Sequence, residues 1–190
     1  MALLVGLDRG FVYPKWTGRL GAPADGPADD FRRYHGRTVL VTRVVDGDTL
    51  HISVPGDGSP ATKVRLLGID APETVGPDGE PMYFAHESAD AARRLAAGKK
   101  IALYLDEKHE TRGKYGRLLA YAELPDGTVL NEWLISQGYA YADLRFQHSY
   151  YQKYRQLEAA ARTLNKGLWT RARREDLPDW LQRMRPDFSP

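Results

Sequence analysis

The chain has 190 residues, 42% hydrophobic and 27% charged, which suits one folded domain with short extensions and excludes wholesale disorder. Its 27 lysines and arginines against 25 acidic residues leave a net charge of only +2, so a polyanionic partner has to be met by a local cluster of cations. The absence of cysteine excludes disulfides and thiolate metal sites, leaving oxygen and histidine as metal donors.

The apolar run Met1–Leu7 lacks a cationic flank and a small-residue cleavage site, so it reads as a strand or packed arm and not as a signal peptide. Secretion stays open if a leader was trimmed earlier. No stretch is long enough to span a bilayer, and no membrane partner is expected. The proline-broken, acidic segment from Pro23 to Asp30 reads as a linker, which makes residues 1–36 an arm outside the main fold. Strand signals follow. Thr38 to Val45 is β-branched and apolar, and Leu50, Ile52 and Val54 alternate with polar neighbours. After a turn from Pro55 to Gly58, Thr62 to Ile69 gives a third strand. Phe84, Ser88, Ala91 and Leu95 share one helical face, with Gly98 as its stop. Ile101, Leu103 and Leu105 form a fourth strand, and Leu118 to Leu124 a fifth, closed by a turn at Pro125 to Gly127.

Asn131 is placed to cap or start a short helix that stops at Gly138. In the last long helix Tyr150, Tyr154, Leu157, Ala161 and Leu164 step by four and three, and Leu168 and Trp169 can fold back as an apolar plug after Gly167. The sum is an α+β, β-rich protein: an OB-fold, five-stranded Greek-key barrel with three helices. The domain spans 37–170, and 171–190 is a basic tail with a short turn at Asp179 to Met184, read as a solvated end.

Three segments carry chemistry. Asp46-Gly47-Asp48 lies between two strands; alone it reads as a hairpin turn, although glycine lets both carboxylates face one point. Arg65 stands inside an apolar strand, a costly place for a cation without an anion, and Asp70 and Glu73 follow at the strand's end. Its bland alternative is a salt bridge to Asp70 or Asp48. The glycine-rich loop from Arg112 to Arg117 offers cations and Tyr115 as phosphate donors, or is a plain solvated turn. Together, carboxylates for a hard cation, two arginines for phosphate oxygens and one more carboxylate are what metal-assisted phosphodiester hydrolysis requires.

These segments, Asp46 to Thr49, Arg65 to Thr74 and Lys114 to Arg117, resemble the signature segments of the staphylococcal nuclease (thermonuclease) family. Asn131-Glu132, Gln137-Gly138 and Gly167-Leu168-Trp169 fit its later helices, and the likeness runs from about Val41 to Trp169. The resemblance implies a Ca²⁺-dependent phosphodiesterase, an endo- and exonuclease acting on DNA and RNA, expected to be a monomer. It implies Asp48 and Asp70 as carboxylate ligands, the Ala71 backbone carbonyl as a third, and Asp46 near the ion through water. Glu73 would position or deprotonate the attacking water, Arg65 and Arg117 would bind the phosphate, and Lys114 and Tyr115 would contact the next one.

Four positions depart from the pattern. Ala71 stands for a threonine, Gly113 for an acidic residue, and Leu144 and Phe146 for two tyrosines that line the nucleotide site. Phe146 can still stack on a base. His51, His86, His109 and His148 lack ligand spacing and read mostly as surface residues. A catalytically silent nucleic-acid- or protein-binding barrel is the competing reading, but such a relative would be expected to lose a carboxylate or an arginine.

Overall fold

The computed structural model describes residues 27–56, 59–76 and 78–188. The expectations for the stretch before residue 27, and for Asp57 and Gly58 in the predicted turn, lie outside these residues.

Five strands close into a barrel in the order β1-β2-β3-β6-β5. β1 (Arg37–Val44), β2 (Thr49–Ile52) and β3 (Thr62–Leu66) form an antiparallel meander. β5 (Lys100–Tyr104) and β6 (Leu118–Glu123) pair with each other, β6 pairs parallel to β3, and β5 closes the barrel on β1. Alternation selects the core: Val39, Val41, Leu50, Ile52, Val64, Leu66, Ile101, Leu103 and Leu118 all point inward and are buried. The alternation in β1 slips once, because a register shift between Val41 and Arg43 turns Val44 inward in place of Arg43.

The expected third strand is cut short. Gly68 adopts φ +78, and the chain turns there and resumes as β4 (Ile69–Asp70), paired with β7 (Tyr141–Ala142) instead of the barrel. This break places Asp70 beside Arg65 of the strand it has just left.

α2 (Ala85–Ala96) packs on the barrel through Ala85, Ser88, Ala89, Ala91, Ala92 and Ala96, a small-residue face that permits close approach. α3 (Leu130–Ser136) begins one residue before Asn131, whose buried amide does not cap it. That amide accepts from Ala122 N–H and donates to the Leu67 carbonyl, pinning the helix to β6 and to the turn before β4. In α4 (Tyr151–Thr163) the buried face is Tyr154, Glu158 and Ala161, while Leu164 lies past the helix end and is exposed.

The two extensions depart most from expectation. Residues 27–34 are not a linker but a helix, α1 (Pro27–Tyr34), with Asp29 and Asp30 in its first turn and Arg32 and Arg33 in its last, matching the helix dipole. Phe31 and Tyr34 are buried in the barrel core. The tail is not a solvated end either. After a 3-10 turn at Gly167–Thr170, Leu177, Trp180 and Leu181 around α5 (Asp179–Met184) form a second apolar cluster with Tyr141, Leu168 and Trp169. Arg185 ties this segment to α4 by a bidentate pair with the fully buried Glu158, at 2.6 and 3.2 Å. No helix among the described residues is long and apolar enough to cross a membrane.

Candidate active site

The acidic half of the site is held by backbone and barrel. Asp48, at the start of β2, is almost wholly buried. Its Oδ1 accepts from Thr49 and from Arg65 Nη1, and its Oδ2 accepts from the Ala71 N–H at 2.7 Å. Asp46 accepts from the Asp48 N–H at 3.0 Å, so the turn expected of this segment is also present. Gly47 serves packing: a Cβ there would lie 2.2 Å from Ser88 Oγ and 2.6 Å from Ala71 Cβ, so only glycine lets α2 and the strand after Gly68 close on the loop. Sequence reasoning assigned that glycine to turning alone.

Arg65 lies between the carboxylates. One Nη donates to Asp48 and the other to Asp70 and to the Ile69 carbonyl. The structural salt bridge is therefore present, to both acids at once. Burial draws the Arg65 proton affinity down, but Asp48 and Asp70 outweigh it and hold the guanidinium firmly charged.

Glu73 sits exposed at the mouth of the site. Partial desolvation and the Asp46 charge push its carboxyl above the ordinary value, against the pull of Arg65 and Arg117. Burial likewise pushes Asp48 well up against Arg65, with Asp46 and Asp70 adding to the rise. With the Asp143–Arg145 pair that lies beside Asp70, five carboxyl groups (Asp46, Asp48, Asp70, Glu73, Asp143) face three guanidiniums (Arg65, Arg117, Arg145), so acidic groups outnumber cations by two.

That excess, carried entirely by oxygen donors, fits a hard divalent cation. Among the described residues no three acidic or histidine side chains enclose an ion unaided. Two carboxylates would supply the side-chain ligands, with backbone oxygen, water and substrate completing the shell.

An open cleft of about 810 Å³ adjoins this group. Arg65, Arg117, Lys114, Tyr115 and Phe146 line it, so five sequence-predicted residues from three parts of the chain meet on one surface. Arg117 Nε is buried without an acceptor among the described residues. Tyr115 and Phe146 are 73% and 56% exposed, available for stacking. Leu144 instead packs between the two apolar clusters.

Several lining residues were not foreseen, and Arg145 and His148 are the best held of them. Arg145 pairs with Asp143 through two bonds of 2.8 Å and approaches Asp70 Oδ1 at 3.2 Å. His148 is a correction: it is buried, not a surface residue. Its Nδ1 lies 3.0 Å from Tyr121 Oη, its ring fills the space a Gly68 Cβ would take, and burial holds its pKa down to about 4. Nothing in the sequence pointed to this contact, because Gly68 and His148 lie 80 residues apart.

Fold and site together define an OB barrel that carries an anion cleft beside a carboxylate cluster. The family model described as "Staphylococcal nuclease homologue" matches residues 63–171, taking in Arg65, Asp70, Glu73 and Arg117 but beginning after Asp48. A thermonuclease of Staphylococcus hyicus is 35% identical over 135 residues, 70% of this chain and 76% of that protein. An uncharacterized endonuclease of Escherichia coli O157:H7 is 31% identical over 157 residues, 80% of this chain and 86% of its own. A thermonuclease of Staphylococcus intermedius is 33% identical over 139 residues, 72% and 78% of the two chains. The chain belongs to the staphylococcal nuclease family.

Proposed function

We propose that this protein is a Ca²⁺-dependent nuclease that hydrolyses phosphodiester bonds of DNA and RNA by in-line attack of water. The observation that carries the reading is the juxtaposition of Arg65, wedged between Asp48 and Asp70, with a cleft lined also by Arg117, Lys114 and Tyr115. Relatives named thermonuclease and endonuclease support the same class.

In this reading Asp48, Asp70 and the Ala71 carbonyl would hold the cation, and Asp46 would act on it through water. When bound, calcium supplies positive charge that polarises the phosphodiester. Arg65 and Arg117 take the non-bridging phosphate oxygens and stabilise the charge that grows on them in the transition state. Glu73 orients the attacking water and receives its proton as the new P–O bond forms and the opposite P–O bond breaks. Its raised proton affinity suits an acceptor at the mouth of a partly desolvated site. Lys114 and Tyr115 hold the neighbouring phosphate, and Phe146 offers a ring face to a base.

The test is digestion of single- and double-stranded DNA and of RNA, with calcium or with excess chelator, beside calorimetric titration of calcium. Cleavage that needs calcium, and saturable binding of the ion, are expected. Intact substrate from a folded protein would instead make this a silent binding barrel whose Arg65 is only a salt bridge.

A further inference from the structure

The segment after Arg171 lies beyond the family match, and the barrel and its cleft are already complete before it. Yet one of its side chains enters the site. Trp180, at the second position of α5, donates its indole Nε1–H to Asp70 Oδ2 at 2.8 Å across 110 residues of sequence. Both groups are buried, with 8% exposure each. Arg65 engages Oδ1 of the same carboxylate, so Asp70 is gripped through one oxygen from the barrel and through the other from the tail.

The indole has a second duty. The Arg145 guanidinium lies 4.6 Å from the Trp180 ring centroid, a stacking distance, and from there its Nη2 approaches Asp70 Oδ1. The donor is firmly placed, because Leu177 and Leu181 bury beside it and Arg185 locks the segment to Glu158.

We infer that Trp180 is a positioning residue for the calcium site, fixing the orientation of Asp70 and the stance of Arg145, so that the C-terminal segment is part of the active site. The inference rests on the cation-binding reading of Asp70. Groups that hydrogen-bond a metal-ligating side chain set its orientation, and their loss typically lowers metal affinity by about 10- to 100-fold. Phenylalanine at 180 keeps an aromatic ring for Arg145 and the apolar cluster but removes the donor.

The experiment measures calcium binding to the full-length protein and to Trp180→Phe by calorimetry, with melting in chelator as the control for folding. A Kd raised about tenfold, with the melting temperature in chelator nearly unchanged, supports the role. In the unmutated protein, ¹⁵N-labelled indole resonances are followed during the same titration, and that of Trp180 is expected to move along the calorimetric binding curve. Should the Phe variant fail to fold, this resonance decides alone. An unchanged Kd in a folded variant, or a Trp180 signal that ignores calcium while the protein binds it, overturns the positioning role and leaves the nuclease reading standing. A parent protein that binds no calcium overturns both.

Discussion

The carboxylate cluster around Arg65 of β3 and the basic loop before β6 flank neighbouring strands of one barrel and are held in opposite ways. Asp48 and Asp70 are buried, and each accepts hydrogen bonds through both oxygens, from Thr49, Arg65 and Ala71 in one case and from Arg65 and Trp180 in the other. The loop from Gly113 to Arg117 has exposed Lys114 and Tyr115 at its tip. Its base is tied down at Arg112, whose guanidinium makes bonds of 2.8 and 2.9 Å to Asp30 of α1. Asp30 also accepts from Thr111 at 2.8 Å. One side is therefore preorganised by buried, paired charge, and the other is an exposed cationic loop tethered at its base. Substitutions on the two sides should separate catalysis from stability in different ways.

The largest effect is expected at Glu73, which belongs to neither side's packing. Glu73→Gln should lower cleavage by about 10²–10⁴-fold and leave the melting temperature nearly unchanged, since the side chain stands at an exposed mouth.

Arg65→Ala and Arg117→Ala should each cost about 10²–10³-fold in cleavage, but only the first should also loosen the fold. Without Arg65, Asp48 stays buried with its cation gone, at a cost of about 3–5 kcal/mol, a fall of roughly 10 °C in melting temperature. Equal melting temperatures for the two variants would dissolve the contrast between the sides.

Asp30→Ala probes the tether from a residue outside the cleft. Loss of its charged hydrogen bonds should cost about 1.5–3 kcal/mol and raise KM several-fold while kcat is kept, as the loop loses its tether. Steady-state kinetics beside thermal melting separate the two.

At the tip, Lys114→Ala should leave stability within about 0.5 kcal/mol. It should weaken binding of a single strand under non-cleaving conditions, with the slope of log K against log salt shallower by about one.

A pH comparison tests the cleft's floor. His148 is held down to about 4 by burial, while the unfolded chain titrates near the ordinary 6.5. Between those values the unfolded state binds more protons, so this residue's contribution is full above 6.5 and is lost as pH falls toward 4. The melting temperature should therefore drop between pH 7.5 and 5 by more in the parent protein than in His148→Asn.

The barrel was legible because alternation and turn residues are local signals. All five predicted strands form, and the apolar positions of Leu50, Ile52, Ile101 and Leu103 point inward as their spacing required. The charged constellation was legible because a mid-strand arginine such as Arg65 has few cheap explanations. What was missed depends on partners distant in sequence. Gly47 looked like a turn residue because nothing nearby names Ser88 and Ala71 as the atoms that would crowd it. The Arg65 strand looked continuous because Leu67 and Ile69 are as apolar as the residues before them, and only the positive φ of Gly68 ends it. Asp30 and Trp180 looked peripheral because their partners, Arg112 and Asp70, lie 82 and 110 residues away. Short polar or basic segments read as solvated ends when the apolar residues they bury, here Phe31, Tyr34, Leu177 and Leu181, are correctly spaced for a helix face but too few to establish a period.

The central claim is that the Arg65 and Glu73 constellation cuts phosphodiesters. Its most direct test is single-turnover cleavage of a labelled DNA strand in calcium by the parent protein, Glu73→Gln and Arg65→Ala, each first shown to be folded. Rapid calcium-dependent cleavage by the parent, slowed by orders of magnitude in both variants, is the predicted result. Cleavage at the parent's rate in Glu73→Gln and Arg65→Ala, or none by the folded parent, would contradict it.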